Sequence, residues 1–455
     1  MERQLSFGIS CCLALLLVAR SPLAAEVAPT EAAPAAEPES VAALNQYLAS
    51  TADKRWEDAL GPAQRLVELA RTDHGERSRQ MAEALVRLGG VQFAVRDLTG
   101  AEGSFAAALA IQENLGGVVD RGLEEPLSGL GFTLAALDRH AEAVQILERA
   151  LLVSQRQNGL FDVSQRSLRQ QLGNSLAEIG RGMEAEQQFR AIMQSAETAY
   201  GANDVRMAEA QDLVADWYAR WGHFEPARQL YRRAIELIET KASPEDEKLI
   251  NPLRSLGRSY IRELLFANAG VLRAGYGGGA MRPLSRDRLP REGEEAILRA
   301  IEIMERTGPR NLLAYRTALV DAGDWFWLKN NTERALEFYG RALRQEIAKS
   351  TEAPTAGDPL GTPAMLDYEL PPVARRYLDR PADKTMDRRL VFEFTVTRAG
   401  AVVDPQIVES DATERMERET LASLRGALYR PRFENGEPVD TPNVRYQQTF
   451  KDLKN

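Results

Sequence analysis

The stretch "LGFTLAALDRHAEAVQILERA", Leu130 to Ala150, decides the fold, because its pattern returns along the chain. Ala143, Leu147 and Ala150 stand at i, i+4 and i+7, so they share one face of a helix. The same small–bulky–small pattern recurs at Ala101/Phe105/Ala108, Ala185/Phe189/Ile192, Ala227/Tyr231/Ala234 and Ala335/Tyr339/Ala342. Ala101, Ala143, Ala185 and Ala227 are each 42 residues apart. Twelve residues before each of the five alanines, a preceding helix carries a small residue: Leu88-Gly89, Leu130-Gly131, Leu172-Gly173, Val214-Ala215 and Ala322-Gly323. Three residues on comes Leu134, Leu176, Tyr218 or Phe326, with Gln92 as the exception. Gly or Ala at fixed places lets two helices approach closely, and the bulky residue fills the space between them.

This order resembles the tetratricopeptide repeat, with its L-G-x2-Y and A-x3-F signatures. The period here is 42 residues, and the additional ones fall between one helix pair and the next, as in "AETAYGANDVRM". Leu253, Leu256-Gly257 and Tyr260 open a further unit. Its second helix resumes only at Gly293/Ile297/Ala300, after an insertion over about 269–292. A degenerate first unit (Ala59, Ala63, Leu66) caps the start. The expectation is an α-solenoid of about seven hairpins over residues 41–350.

After Ser350 residues 351–386 are Pro-rich and read as a linker. The period then changes from 3.6 to 2. "RLVFEFTVT" and "AVVDPQIVES" read as strands joined at "RAG". "TERMERETLASLRGAL" reads as an amphipathic helix with Met416, Leu421, Leu424 and Leu428 inward. "YRPRFENGEPV" follows: Pro431 ends the helix, Asn435-Gly436 turns the chain, and Tyr429 and Phe433 cover the sheet. "VRYQQTF" is the last strand, which gives the order β-β-α-β.

Residues 388–450 resemble the C-terminal domain of TonB-type energy transducers. The resemblance rests on Gly400, Val402, Glu409-Ser410, Tyr429, Pro431, Phe433 and the run Gly436-Glu437-Pro438-Val439, in order and properly spaced. Asp387 and Arg388 stand where the family has glycine. The resemblance implies a non-catalytic domain that binds a partner peptide by adding a strand to its sheet edge. The fold class is therefore mostly α, an α-solenoid of tetratricopeptide-like hairpins followed by a small α+β domain over 387–455.

The first 25 residues have the order of a secretory signal: Arg3, then the apolar run "LSFGISCCLALLLVA", then small residues up to Ala25. Residues 26–40, "EVAPTEAAPAAEPES", read as an Ala/Pro/Glu linker. Both cysteines lie in the signal, so the mature chain has no disulfide framework, thiolate metal site or thiol nucleophile. The net charge of −9 argues against broad nucleic-acid binding. No later apolar run is long enough to span a bilayer. The expected location is the periplasm. The alternative is an uncleaved signal that anchors a TonB-like component of transport in the inner membrane, and Arg20 beside the cleavage site is what opens it.

In tetratricopeptide proteins the first helix of each pair lines the peptide groove. The matching positions here give Gln170/Asn174/Glu178, Asp212/Asp216/Arg220 and Arg254/Arg258/Arg262. Three arginines at i, i+4 and i+8 form a one-sided stripe suited to a carboxylate or an acidic peptide. Asp212 and Asp216 on the preceding repeat are placed to neutralise Arg254 and Arg258, which leaves Arg220 and Arg262. Asn174 and Trp327 are further groove candidates, and Phe326 is core by register. "AGYGGGAMR" lacks the lysine and flanking strand of a phosphate loop and reads as an exposed loop. His74, His140 and His223 read as solvated turn residues. No catalytic constellation, metal or cofactor is expected. The expected partners are proteins or peptides, an envelope or outer-membrane protein among them.

Overall fold

The computed structural model describes residues 38–117, 120–268, 284–309, 311–345, 359–375 and 385–453. The signal, nearly all of the 26–40 linker, most of the insertion and "AGYGGGAMR" lie outside the described residues. The chain forms two compact units, one up to Ala199 and one from Tyr200.

In the first unit the hairpins are α1 (Glu39–Ala52) with α2 (Trp56–His74), α3 (Arg79–Ala94) with α4 (Leu98–Gly116), α5 (Glu124–Ala136) with α6 (His140–Asn158) and α7 (Arg166–Glu178) with α8 (Gly182–Tyr200). The second unit holds α9 (Met207–Arg220) with α10 (Phe224–Lys241), α11 (Ile250–Asn268) with α12 (Arg291–Thr307) and α13 (Leu312–Leu328) with α14 (Thr332–Leu343). The first helix starts at Glu39, two residues ahead of the expected 41.

The hairpin turns that lie wholly within the described residues each have one residue in the left-handed region: Lys54, Arg96, Asp138, Gly180 and Gly222, every 42 residues, and then Asn330. That residue lets the next amide reach back five residues, as in Arg139 N to Leu134 O (2.9 Å), Arg181 N to Leu176 O (2.8 Å) and Asn331 N to Phe326 O (2.9 Å). This is a Schellman-type closure, which satisfies the last carbonyls of the first helix and reverses the chain. The small residues then let the helices meet. A Cβ on Gly131 would lie 2.5 Å from Leu147, and one on Gly173 2.6 Å from Phe189. On Gly323 it would fall within the Tyr339 ring. The repeat signature is thus a contact between one small and one large side chain.

The C-terminal domain consists of β1 (Ala364–Asp367), a 3₁₀ turn (Pro372–Arg375), β2 (Thr385–Val396), β3 (Val402–Ser410), α15 (Glu414–Arg425), β4 (Leu428–Arg430), β5 (Arg432–Glu434), β6 (Glu437–Val439) and β7 (Thr441–Leu453). The main sheet has the antiparallel order β3-β2-β7. The Thr413 hydroxyl caps α15 by accepting from Met416 N. Met416 and Leu424 pack on Phe392, Phe394 and Phe450 of the sheet.

Four details differ from the sequence reading. The 351–386 segment is more than a linker: β1 pairs with β4, Tyr368, Leu370 and Val373 join the domain core, and β2 already begins at Thr385. The order β-β-α-β therefore gains β1 and the β5/β6 hairpin. α15 closes at Arg425, so Leu428 lies in a strand, and Pro431 separates β4 from β5 instead of ending the helix. A residue without an N–H suits a point where the chain leaves one strand partner for another. Lastly, Phe433 does not cover the domain's own sheet. Asn435 and Gly436, with φ of +50° and +88°, close the hairpin in a two-residue turn, and Phe433 belongs to the core of the repeats.

Candidate functional site

The site is built on the first helices of the second unit. α9 contributes Asp212, Asp216 and Arg220; α11 contributes Arg254, Arg258 and Arg262; α13 contributes Asp321 and Asp324. A recess of about 260 Å³ opens among Asp212, Asp216, Asn251, Arg254, Ser255 and Arg258. Arg254 and Arg258 both converge on Asp321, at 3.0 and 3.3 Å. The expected pairing with Asp212 and Asp216 is therefore corrected: the carboxylate that engages both arginines comes from the following repeat. Asp321 nevertheless acts on Arg258 most strongly among its neighbours, with Asp216 and Asp324 adding to it, and holds its guanidinium above the ordinary value.

Asp216 accepts a hydrogen bond from Tyr231 Oη at 2.6 Å. Burial pushes the Asp212 carboxyl well up, and the neighbouring Asp216 pushes it further. Asp212 Oδ1 is enclosed with no hydrogen-bond donor, and no cation pairs with Asp212 among the described residues. Arg220 and Arg262 are exposed and form no ion pair among the described residues. Protein still surrounds Arg262 closely. Desolvation pulls its guanidinium down, Arg258 and Arg220 add like-charge repulsion, and Asp216 opposes them. The recess itself mixes Asp212 and Asp216 with Arg254 and Arg258, and Arg220 and Arg262 lie beyond its lining, further along α9 and α11.

Asp324 occupies the repeat position of Asp216 and repeats its bond: Tyr339 Oη donates to it at 2.8 Å. The 15-residue Asp-to-Tyr spacing at both places is visible in the sequence, and it is the signal that would have found Asp324. Arg430 reaches in from β4. Its Nη1 lies 2.9 and 2.7 Å from the two Asp324 oxygens, and its Nη2 donates to Pro359 O at 2.7 Å. Burial raises the Asp324 carboxyl and Arg430 opposes that rise. For Arg430, burial lowers the guanidinium while Asp324 and Tyr339 more than restore it.

The other candidates separate. Trp327 does not line an open groove. It is buried, with its ring 6.2 Å from Tyr339, and a Cβ on Gly400 would sit 2.9 Å from its Nε1. The C-terminal domain covers it, which the register of a lone repeat could not reveal. Gly400 has φ +77°, and its Cβ would also collide with Tyr429 O. Phe433 packs on Tyr339 at 5.1 Å, while Tyr429 packs on Phe394 within the domain. Leu360 and Leu366 join Phe433 in the core of the repeats, and Arg286 pairs with Asp367 at 2.8 Å. The Ser410 hydroxyl bonds Glu417 and receives Ala412 N at 3.2 Å, which joins β3 to α15. Pro438 faces Phe433 across the β5/β6 hairpin. Asn174 is half-buried on α7 of the first unit and does not line the recess. Among the described residues no second strand pairs with the outer edge of β7. No helix among them is long and apolar enough to cross a membrane.

Paired helices closed by a periodic turn define a helical-repeat protein, here with a docked α+β domain. Family models make this specific. Tetratricopeptide-repeat models match residues 127–160 and 164–240, and the Gram-negative bacterial TonB protein C-terminal model matches 375–450. The chain therefore carries tetratricopeptide repeats followed by a TonB-type C-terminal domain. Similar solved structures include the apo form of RapI, at 12% identity over 68% of this chain and 98% of that one, with a TM-score of 0.42. A Podosopora anserina kinesin light chain with TPR-like repeats is 14% identical over 46% of this chain and 100% of that one, with a TM-score of 0.41. Pseudomonas aeruginosa PilF is 17% identical over 61% of this chain and 95% of that one, with a TM-score of 0.35. No curated protein matches the chain.

Proposed function

We propose that this protein is an exported, periplasmic and non-catalytic scaffold whose repeats bind a protein or peptide partner through the first-helix face of the second unit. One observation carries the reading: Arg220 and Arg262 stand exposed there and form no ion pair among the described residues, while Arg254 and Arg258 are held by Asp321. Arginines aligned on one helix face accept carboxylates in a fork geometry. The TonB-type domain binds a second, envelope partner, and the edge of β7 that has no strand partner among the described residues supports strand addition as its mode.

In-cell crosslinking followed by affinity capture tests the repeats, with Arg262→Glu as the comparison. The wild-type chain is expected to retain a partner that the variant loses. An unchanged bound set ends the groove reading. N-terminal sequencing tests the location: a start at Glu26 supports an exported soluble scaffold. Arg20 favours a second reading, in which the segment stays as an anchor and the protein is a transducer-like component of transport. Intact Met1 in the inner membrane would select that one.

A further inference from the structure

The recess and its surroundings carry more than an arginine stripe. Asp321 already engages Arg254 and Arg258, so the lining residue left uncompensated is a carboxylate, Asp212, beside Asp216. Two helical turns beyond Asp212 and Arg254 on the same helices are two cations that form no ion pair among the described residues, Arg220 on α9 and Arg262 on α11. They are close enough to repel each other. Asp212 and Arg220 are eight residues apart on one helix, as are Arg254 and Arg262. At 1.5 Å per residue Asp212 lies about 12 Å from the arginine end, with Asp216 between them.

We propose that this face receives an extended, bipolar peptide segment, with a lysine or arginine set against Asp212 and Asp216 and an acidic residue set against Arg220 and Arg262. The proposal rests on the peptide-binding reading of the repeats and narrows it. An extended chain advances about 3.3 Å per residue, so the two charged side chains stand about four residues apart. A purely acidic segment satisfies only one end and brings like charge to the other, which costs affinity and discriminates against it. The uncompensated carboxylate is therefore a selectivity element and not a defect of packing.

The test uses the full chain and fluorescein-labelled peptides with the core K-A-A-A-E, the same core with norleucine for lysine, and the same core with glutamine for glutamate, each titrated by fluorescence anisotropy. Each end is expected to contribute about tenfold in Kd. Norleucine and glutamine peptides should therefore each bind about tenfold more weakly. Asp212→Asn should abolish the difference between lysine and norleucine, and Arg262→Gln the difference between glutamate and glutamine. Helical circular dichroism verifies that both variants fold. If the norleucine peptide binds as tightly as the lysine peptide, with Asp212→Asn silent and Arg262→Gln weakening both, the bipolar proposal falls and the carboxylate reading of the groove stands. If no peptide binds, or if Arg262→Gln changes nothing, both fall.

Discussion

Replacing Arg430 with alanine removes the cation that the C-terminal domain inserts into the last repeat. Arg430 and Asp324 are each 8% exposed, so water cannot compensate the loss. Asp324 would keep only the Tyr339 hydroxyl, and the donor to Pro359 O would be gone. Removing one partner of a buried ion pair costs roughly 3–5 kcal/mol, because the other charge stays desolvated. The cost should depend on pH. Burial already raises the Asp324 carboxyl, and Arg430 opposes the rise, so the variant's carboxyl titrates higher still. A folded-state value above the unfolded one contributes stability that is present in acid and is lost as pH rises through the folded value. The deficit of Arg430→Ala should therefore be smaller at pH 4 than at pH 7. Urea unfolding at both pH values, with Asp324→Ala and the double variant, closes a double-mutant cycle whose expected coupling is about 2 kcal/mol. Hydrogen exchange over residues 428–439 should accelerate in the single variants. A coupling under about 0.5 kcal/mol, or a deficit that is larger at pH 4, would refute the reasoning.

Other outcomes follow from the same contacts. Asp212→Asn should raise thermal stability at pH 7, with the gain shrinking towards pH 4. The raised Asp212 carboxyl, which faces Asp216 on its own helix, Tyr231 on α10 and Arg254 and Arg258 on α11, costs the wild type stability as pH rises; scanning calorimetry across pH checks this. Gly400→Ala should lower the unfolding midpoint and accelerate exchange at Leu428–Arg430, because φ +77° and the Tyr429 carbonyl leave no place for a Cβ. Phe433→Ala should cost roughly 3 kcal/mol by opening a cavity beside Tyr339. Exchange in α1–α4 should stay unchanged, and faster exchange there would mean the effect is not local.

The repeats were legible because, outside the interrupted unit, these contacts are short in sequence. Gly131 meets Leu147 only 16 residues away, so a local pattern carries the packing. The left-handed turn was half hidden. Gly180 and Gly222 advertise it, but Lys54, Arg96 and Asp138 adopt the same conformation without the tell-tale glycine. The three long strands and α15 were legible from their periods. β1 was not, since Ala364–Asp367 has too few residues to show alternation and lies among prolines. The three arginines of the stripe lie on α11, and two of them take their counter-ion, Asp321, from the following repeat and not the preceding one. Asp321 lies one position off the register of Asp212, and its distance from Arg254 along the chain includes the insertion.

The sequence by itself determined the hairpins, their 42-residue spacing and the identity of both domain types, because these follow from side-chain size and polarity at fixed local offsets. Only the tertiary structure decided which charges remain available and where the C-terminal domain lies. Arg430 and Asp324 are 106 residues apart, and Phe433 leaves its own domain's core for Tyr339. Partners so distant obey no period. Their pairing is set by which buried charge and which ring the fold brings together, since a desolvated carboxylate must find a cation and an aromatic face must find cover.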